Sequence, residues 1–269
     1  MFRQRLLTTI ILIPLVLGII YYANIWFFSG LILLLVMACG VESLQLIPIN
    51  RLSLKVVYLC LLLLAFLVIH YVYREWLLVA LGCWFLIIWA VLFFPRSQSI
   101  WGNGYTVSIF FLLLLPVFGQ SLIAIYEMES GKSFIVYVMC LVWAADIGAY
   151  VTGKQWGRHK LIPAVSPGKS LEGLAGGAFL SMLVAIAGYY YFQPGRPLPW
   201  GLTVLFVFLI ALLGDLFISI LKRRCHLKDT SHLIPGHGGI LDRLDSMIAA
   251  APVFYFALVI MNSGITAWF

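Results

Sequence analysis

Polar residues interrupt this chain sparsely, and the apolar runs between them recur along its whole length, each close to the roughly 20 residues that a bilayer-spanning helix needs. The runs predict helices over Leu6–Tyr22, Ile25–Cys39, Leu54–Val72, Trp76–Phe94, Tyr105–Tyr126, Phe134–Val151, Leu171–Phe192, Trp200–Leu221 and Met247–Met261. Only Ala23 and Asn24 separate the first two. The second is short unless it continues through Glu42 toward Leu46.

Composition agrees with this pattern. Of 269 residues, 63% are hydrophobic and 10% charged, whereas soluble domains are about half apolar and about a quarter charged. The expected fold class is therefore all-α: a polytopic integral membrane protein of about nine transmembrane helices. It is expected to form a single integral domain over 1–269, with helices 1–5 (1–133) as scaffold and helices 6–9 (134–269) carrying the chemistry.

Charge sets the expected orientation, because Lys and Arg near helix ends collect on the cytoplasmic side. With the N-terminus inside, the inner segments hold Arg3, Arg5, Arg51, Lys55, Arg96, Lys154, Arg158, Lys160, Lys169, Lys222, Arg223, Arg224, Lys228 and Arg243, fourteen of the 17 basic residues. Arg74, Lys132 and Arg196 fall outside. Arg3 and Arg5 also suit a signal peptide, but no small-residue cleavage site follows them, and the first helix is expected to be retained. The net charge of +7 records topology and contact with anionic lipid rather than nucleic acid. Four of the five cysteines sit inside apolar runs with no CxxC pair, which indicates neither a disulfide framework nor a thiolate metal site.

Ionisable residues are costly at membrane depth, so those retained there are candidates for function. They concentrate in the second half: Asp146, the loop Gly153–Glu172, Asp215, and the segment Lys222–Asp245. At helical spacing Asp215, Ser219 and Lys222 share a face, with Arg223 beside it. Lys228 and Asp229 follow, then the glycine-rich loop Pro235–Gly239, whose backbone can approach a ligand closely and offer amides to phosphate oxygens. Asp242 and Asp245 lie three apart at the start of the last helix and point to one side, with Arg243 able to take phosphate bidentately. Carboxylates interleaved with Lys, Arg and glycine suit a magnesium-nucleotide. A transporter could use the same face as an ion pathway.

Upstream, Ser166-Pro167-Gly168-Lys169-Ser170 precedes the seventh helix. Ser166 is expected to cap it and Pro167 to occupy its first position, leaving amides for an anion with Lys169. Pro163 replaces the glycine a Walker A loop requires. His226, His232 and His237 lack the spacing of a zinc set. Gly173, Gly177 and Ser181 form a small-residue stripe that suits helix packing. Glu42 ends the second helix, where a water-facing helix end and a reach toward the site explain it equally well. Asp146, flanked by apolar residues, needs a partner.

Three runs together resemble the signature of bacterial phosphatidate cytidylyltransferases, also known as CDP-diglyceride synthases: Ser219-Ile220-Leu221-Lys222-Arg223, Lys228-Asp229, and His237-Gly238-Gly239-Ile240-Leu241-Asp242-Arg243-Leu244-Asp245. The likeness extends to Gly214-Asp215-Leu216, to the Ser-Pro-Gly-Lys-Ser segment ending in Glu172 and Gly173, and to Trp143–Asp146 with Gly148-Ala149-Tyr150. It implies a multi-pass homodimer in the bacterial cytoplasmic membrane, with contacts in the first five helices and a site facing the cytoplasm. The implied cofactor is Mg2+, with a second cation open. Asp215 and Asp242 would be its ligands, supported by Asp245 and Asp146. Ser166, Lys169, Ser170, Ser219, Lys222, Arg223, Lys228, His237, Gly238, Gly239 and Arg243 would contact substrate.

The implied reaction joins CTP to phosphatidic acid, giving CDP-diacylglycerol and pyrophosphate. Ile147 stands where the family usually has a small hydroxyl residue, and Ile218 where it usually has Glu. The alternatives are CTP transfer to another lipid phosphate, a lipid kinase, or a degenerate member acting as a transporter or scaffold.

Overall fold

The fold is described from a computed structural model for residues 2–49, 51–97, 103–231, 233 and 238–263; for 2–8, 262 and 263 only the backbone is described. Nine helices occur among these residues: α1 (Phe2–Tyr22), α2 (Ile25–Ser43), α3 (Leu52–Ile69), α4 (Tyr73–Leu92), α5 (Gly104–Tyr126), α6 (Gly131–Trp156), α7 (Leu171–Phe192), α8 (Pro197–Arg224) and α9 (Leu241–Ser263). A short antiparallel hairpin, β1 (Lys160–Ile162) with β2 (Ser166–Ser170), separates α6 from α7. Eight helices, α2 to α9, are long and apolar enough to cross a membrane, and α1 adds the apolar stretch Thr9–Tyr22.

The helices form where the apolar runs predict them, and polar residues set their ends. Asn24 breaks α1 from α2 by capping the latter, its Oδ1 accepting from Phe27 N at 2.8 Å. α2 runs on to Ser43 and carries Glu42 inward; α9 begins at Leu241, well before Met247, so that Asp242 and Asp245 lie on helix.

α5 is the bundle's axis, packed against α2, α3, α4, α6 and α9. Contacts between turns fix which helix ends share a side. At one end Tyr126 Oη donates to Ala23 O at 2.6 Å and Lys132 Nζ to Tyr21 O at 2.8 Å, joining the α1–α2 and α5–α6 turns. At the other, Arg224 Nη2 donates to Leu46 O, joining the end of α8 to the end of α2. The α1–α2 and α5–α6 turns thus share one side of the bundle, and the ends of α2 and α8 share the other.

α6 and α7 run in backbone contact. A Cβ at Gly177 would lie 2.7 Å from Ala145 O, and one at Gly173 would lie 2.9 Å from Ala149 O. The small-residue stripe is therefore a packing seam, close enough for the two helices to hold one wall of the site.

The approach to α7 departs from the expectation. Ser166 does not cap a helix: Ser166–Ser170 is extended as β2, and Ser170 is the cap, its Oγ accepting from Gly173 N at 3.1 Å. Pairing with Lys160–Ile162 satisfies backbone groups that a helix end would leave free and lets Val165 be fully buried. Glu172 ties the hairpin to the helix by accepting from Arg158 N at 3.1 Å and His159 N at 3.2 Å.

Gly177→Leu should separate α6 from α7 and destabilise the protein by about 1–3 kcal/mol, in the range for an overpacked core. A lowered melting temperature of the purified protein in detergent is expected; an unchanged one would contradict the seam.

Candidate active site

Three helices and the hairpin bring the second half's ionisable groups together at one end of the bundle. Asp146 comes from α6, Asp215 from α8, Asp242 and Asp245 from α9, and Lys169 from β2. Asp146, Asp215 and Asp245 lie within electrostatic reach of one another, so their charges repel unless cations intervene. Lys169 Nζ lies 2.6 Å from Asp215 Oδ2, and Lys222 Nζ lies 2.8 Å from Asp242 Oδ1. Ser219 Oγ donates to Asp215 Oδ1 at 3.2 Å. The expected shared face on α8 is present, but its lysine reaches across to α9 instead of back to Asp215.

Asp242 is nearly buried, and its second oxygen is filled from the chain itself. Oδ2 accepts from Thr230 N at 2.7 Å, from Gly239 N at 3.1 Å and stands 3.0 Å from Thr230 Oγ1. Gly239 therefore spends its amide on Asp242 rather than leaving it for a phosphate. Gly238 adopts φ +85°, a turn conformation that glycine takes without strain.

A second carboxylate, Glu42, stands behind this loop. It is 2% exposed and accepts from Ser231 Oγ at 2.6 Å and Ile240 N at 2.9 Å on Oε1. Oε2 accepts from Leu241 N at 2.8 Å and lies 2.9 Å from Thr230 Oγ1. The free amides at the start of α9 are thus capped by an acid from α2, favourably placed against the helix dipole. A Cβ at Gly239 would overlap both Thr230 Oγ1 and Glu42 Oε2, so the glycine is required by packing.

In front of the cluster lies a pocket of about 360 Å³. Asp146, Ser166, Lys169, Ser170, Asp215 and Ser246 give it polar walls, while Ala149, Phe208, Ala211 and Leu212 make an apolar floor. It offers an anion-binding end continuous with an apolar trough, which suits an amphiphile.

The expected site residues divide by position. Asp146, Asp215, Ser166, Lys169 and Ser170 line the pocket, and Ser219, Lys222, Asp242 and Asp245 lie beside or behind it. Arg243 is exposed, within electrostatic reach of Asp146; Arg223 and Lys228 are exposed on the same end. His232 and His237, with Pro235 and Gly236 of the expected phosphate loop, lie outside the described residues. Ile218 is buried in the apolar core and Ile147 is exposed.

Thr230, Ser231 and Ser246 stand in no motif that would mark them from sequence, and Glu42 looks in sequence like an ordinary helix end. For Glu42 the available signal was its solitude: it is the sole acidic residue before Glu75.

Among the described residues no three carboxylate, histidine or cysteine side chains converge as a ready metal cage. The donor set nevertheless fits Mg2+, which is commonly held by one or two carboxylates together with substrate phosphates and water. Asp215 and Asp242 supply hard oxygen donors, and the ammonium groups upon them mark where positive charge is wanted.

A family model described as "Cytidylyltransferase family" matches residues 3–261. The phosphatidate cytidylyltransferase of Pseudomonas aeruginosa is 37% identical over 275 residues, spanning 94% of this chain and 96% of that protein. The protein of the same name from Haemophilus influenzae is 37% identical over 195 residues, 68% of each chain. That from Bacillus subtilis is 39% identical over 137 residues, half of each chain.

Lys222→Met should leave Asp242 buried and unpaired, destabilising the protein by about 3 kcal/mol. The melting temperature in detergent should fall, and adding Asp242→Leu should restore part of it; independent, additive losses would show that the two side chains do not interact.

Proposed function

The chain belongs to the cytidylyltransferase family, and from that premise we infer that it is a phosphatidate cytidylyltransferase, an integral membrane nucleotidyltransferase of phospholipid biosynthesis. It joins CTP to phosphatidate, forming CDP-diacylglycerol and pyrophosphate. The observation that carries this reading in the molecule is the pocket whose charged end meets an apolar floor between α6, α7 and α8. A phosphate headgroup and the foot of its acyl chains need both.

In the reaction an oxygen of the phosphatidate phosphate forms a bond to the α-phosphorus of CTP, and the bond from that phosphorus to the β-phosphate bridging oxygen breaks. The electron pair leaves with pyrophosphate. No general base is required, because the attacking phosphate is already ionised near neutral pH. Two polyanions must meet, so positioning and charge neutralisation carry most of the acceleration.

Lys169 stands at the pocket and is assigned to the phosphates, with Lys222 and Arg243 supporting it from α8 and α9. Without substrate, Lys169 and Lys222 neutralise Asp215 and Asp242. With CTP present, the ammonium groups have phosphate oxygens as better partners, which leaves both carboxylates available. Asp215 and Asp242 are assigned to Mg2+, with Asp146 and Asp245 in support. The ion, when bound, would offset charge on the phosphates. Ser166 and Ser170 form the hairpin wall beside the headgroup, and Ser170 also holds the start of α7.

The orientation follows from the basic residues. We place this end of the bundle at the cytoplasmic face of the bacterial cytoplasmic membrane, where CTP is made available. We also infer a homodimer with contacts in the first five helices, as the family resemblance implies.

Purified protein in detergent, given CTP, Mg2+ and dioleoyl phosphatidate, should release pyrophosphate and form CDP-lipid, and EDTA should abolish both. Folded protein that makes no CDP-lipid would overturn the assignment. Asp215→Asn should lower kcat by about 100-fold or more while leaving the fold intact, since the side chains of the Lys169–Asp215 pair are only partly buried. Wild-type turnover in that variant would remove Asp215 from the site.

A further inference from the structure

We infer that Glu42, on α2 and outside the signature segment, is a positioning residue that sets Asp242 in place through Thr230 and the turn into α9. The inference rests on the reaction assigned above.

Every acceptor position that Glu42 presents to the loop is taken. Each carboxylate oxygen receives one backbone amide and faces one hydroxyl: Ile240 N and Ser231 Oγ on Oε1, Leu241 N and Thr230 Oγ1 on Oε2. Glu42 does not line the pocket, so it is not placed to touch substrate. Its effect on the site passes through Thr230, which is fully buried. The Thr230 amide donates to Asp242 Oδ2 at 2.7 Å, while its hydroxyl lies 2.9 Å from Glu42 Oε2 and 3.0 Å from Asp242 Oδ2. A hydroxyl has one proton to give, so the two carboxylates compete for it. Four donors satisfy Glu42 when the proton points to it, and three satisfy Asp242 Oδ2 when it points the other way.

Thr230 and Gly239 restrain Asp242 from the side of its Oδ2. Oδ2 is held by Thr230 and Gly239, leaving Oδ1 with Lys222 and turned toward the α8 side. A carboxylate whose rear oxygen is anchored in this way presents its front oxygen at a fixed place. A shift of about 1 Å there is enough to cost catalysis heavily. The family glycine at 239 belongs to the same device, because any side chain at that position would collide with Thr230 and Glu42. A second tie, Arg224 Nη2 to Leu46 O, holds the end of α8 to the same α2 terminus. The N-terminal half thereby grips both helices that bear Asp215 and Asp242.

Glutamine cannot replace Glu42 in this role. Each oxygen takes a backbone N–H, so the amide NH2 of Gln would face a backbone donor whichever way it turned.

The test compares full-length wild type, Glu42→Gln, Thr230→Val and Thr230→Ser, purified in detergent. Hydrogen exchange of the peptide spanning residues 230–241 is measured alongside kcat, the KM for CTP and the Mg2+ concentration at half-maximal turnover. Glu42→Gln and Thr230→Val should each lower kcat by about 100-fold with the KM for CTP changed less than about threefold. Both should raise the half-saturating Mg2+ concentration about tenfold, in line with loss of a group that supports a ligand. That concentration does not depend on the fraction of active protein, so a merely structural defect would leave it unmoved. Loop amides should exchange faster in both variants, and Thr230→Ser, which keeps the hydroxyl, should retain wild-type Mg2+ dependence. Wild-type kcat, Mg2+ dependence and loop exchange in folded Glu42→Gln would overturn the inference. Should that variant fail to fold, the same wild-type values in Thr230→Val would overturn it. If the wild type makes no CDP-lipid, the assigned reaction fails instead, and loop exchange alone then decides whether Glu42 clamps the loop.

Discussion

Charge placed at the end of an apolar bundle must be neutralised where it stands, and the Lys222–Asp242 pair is the point on which the rest of this structure turns. Water is scarce there, with 12% of the lysine side chain and 3% of the aspartate side chain exposed. A buried pair of this kind contributes little net stability, yet removing either partner is costly. Its value lies in fixing geometry: it closes α8 against α9 and brings Asp215 of one helix toward Asp245 of the other. The second pair, Lys169–Asp215, pulls the hairpin over the same cluster. Two lysines thus hold in register four carboxylates that would otherwise repel one another apart.

The supporting architecture serves that register. The glycine seam lets α6 and α7 touch along their backbones, which brings Asp146 to the wall opposite α8. Extended pairing of Ser166–Ser170 swings Lys169 off the helix axis and over the pocket, where a helical turn capped by Ser166 would have directed it elsewhere. α2 closes the back. Its terminal Glu42 takes amides that the first turn of α9 would otherwise leave unsatisfied inside protein.

The two positions expected to depart from the family pattern acquire a physical setting. Ile218 packs in the apolar core, where a glutamate would need a partner of its own; an isoleucine there adds to the packing of α8 instead. Ile147 is exposed, next to Asp146 in sequence, and itself brings no hydroxyl to that position. Neither substitution removes a group from the Asp215–Lys169 or Asp242–Lys222 pairs.

Much of this protein was legible in one dimension because lipid imposes a one-dimensional rule: a spanning segment must satisfy its own backbone and be apolar for about 20 residues. All nine runs became helices, and helical spacing together with the family resemblance pointed to Asp215, Lys222 and Asp242 as candidates. Partners were not legible. Nothing in the order of residues says that Lys222 bonds to Asp242 on the next helix rather than to Asp215, two helical turns back on its own face, since only the α8–α9 crossing decides between them. The helix start at Leu241 and the cap at Ser170 instead of Ser166 likewise depend on what the backbone meets in space, Glu42 in one case and β1 in the other. Glu42 itself lies 200 residues from Asp242 by number, and local pattern carries no information over that interval. The sequence determined the membrane fold, the helices and the inventory of charged groups, because those follow from local hydrophobicity and spacing. Tertiary structure alone decided which carboxylate meets which donor, because hydrogen bonds and ion pairs are set by distances of a few ångströms between segments that the chain order leaves unrelated.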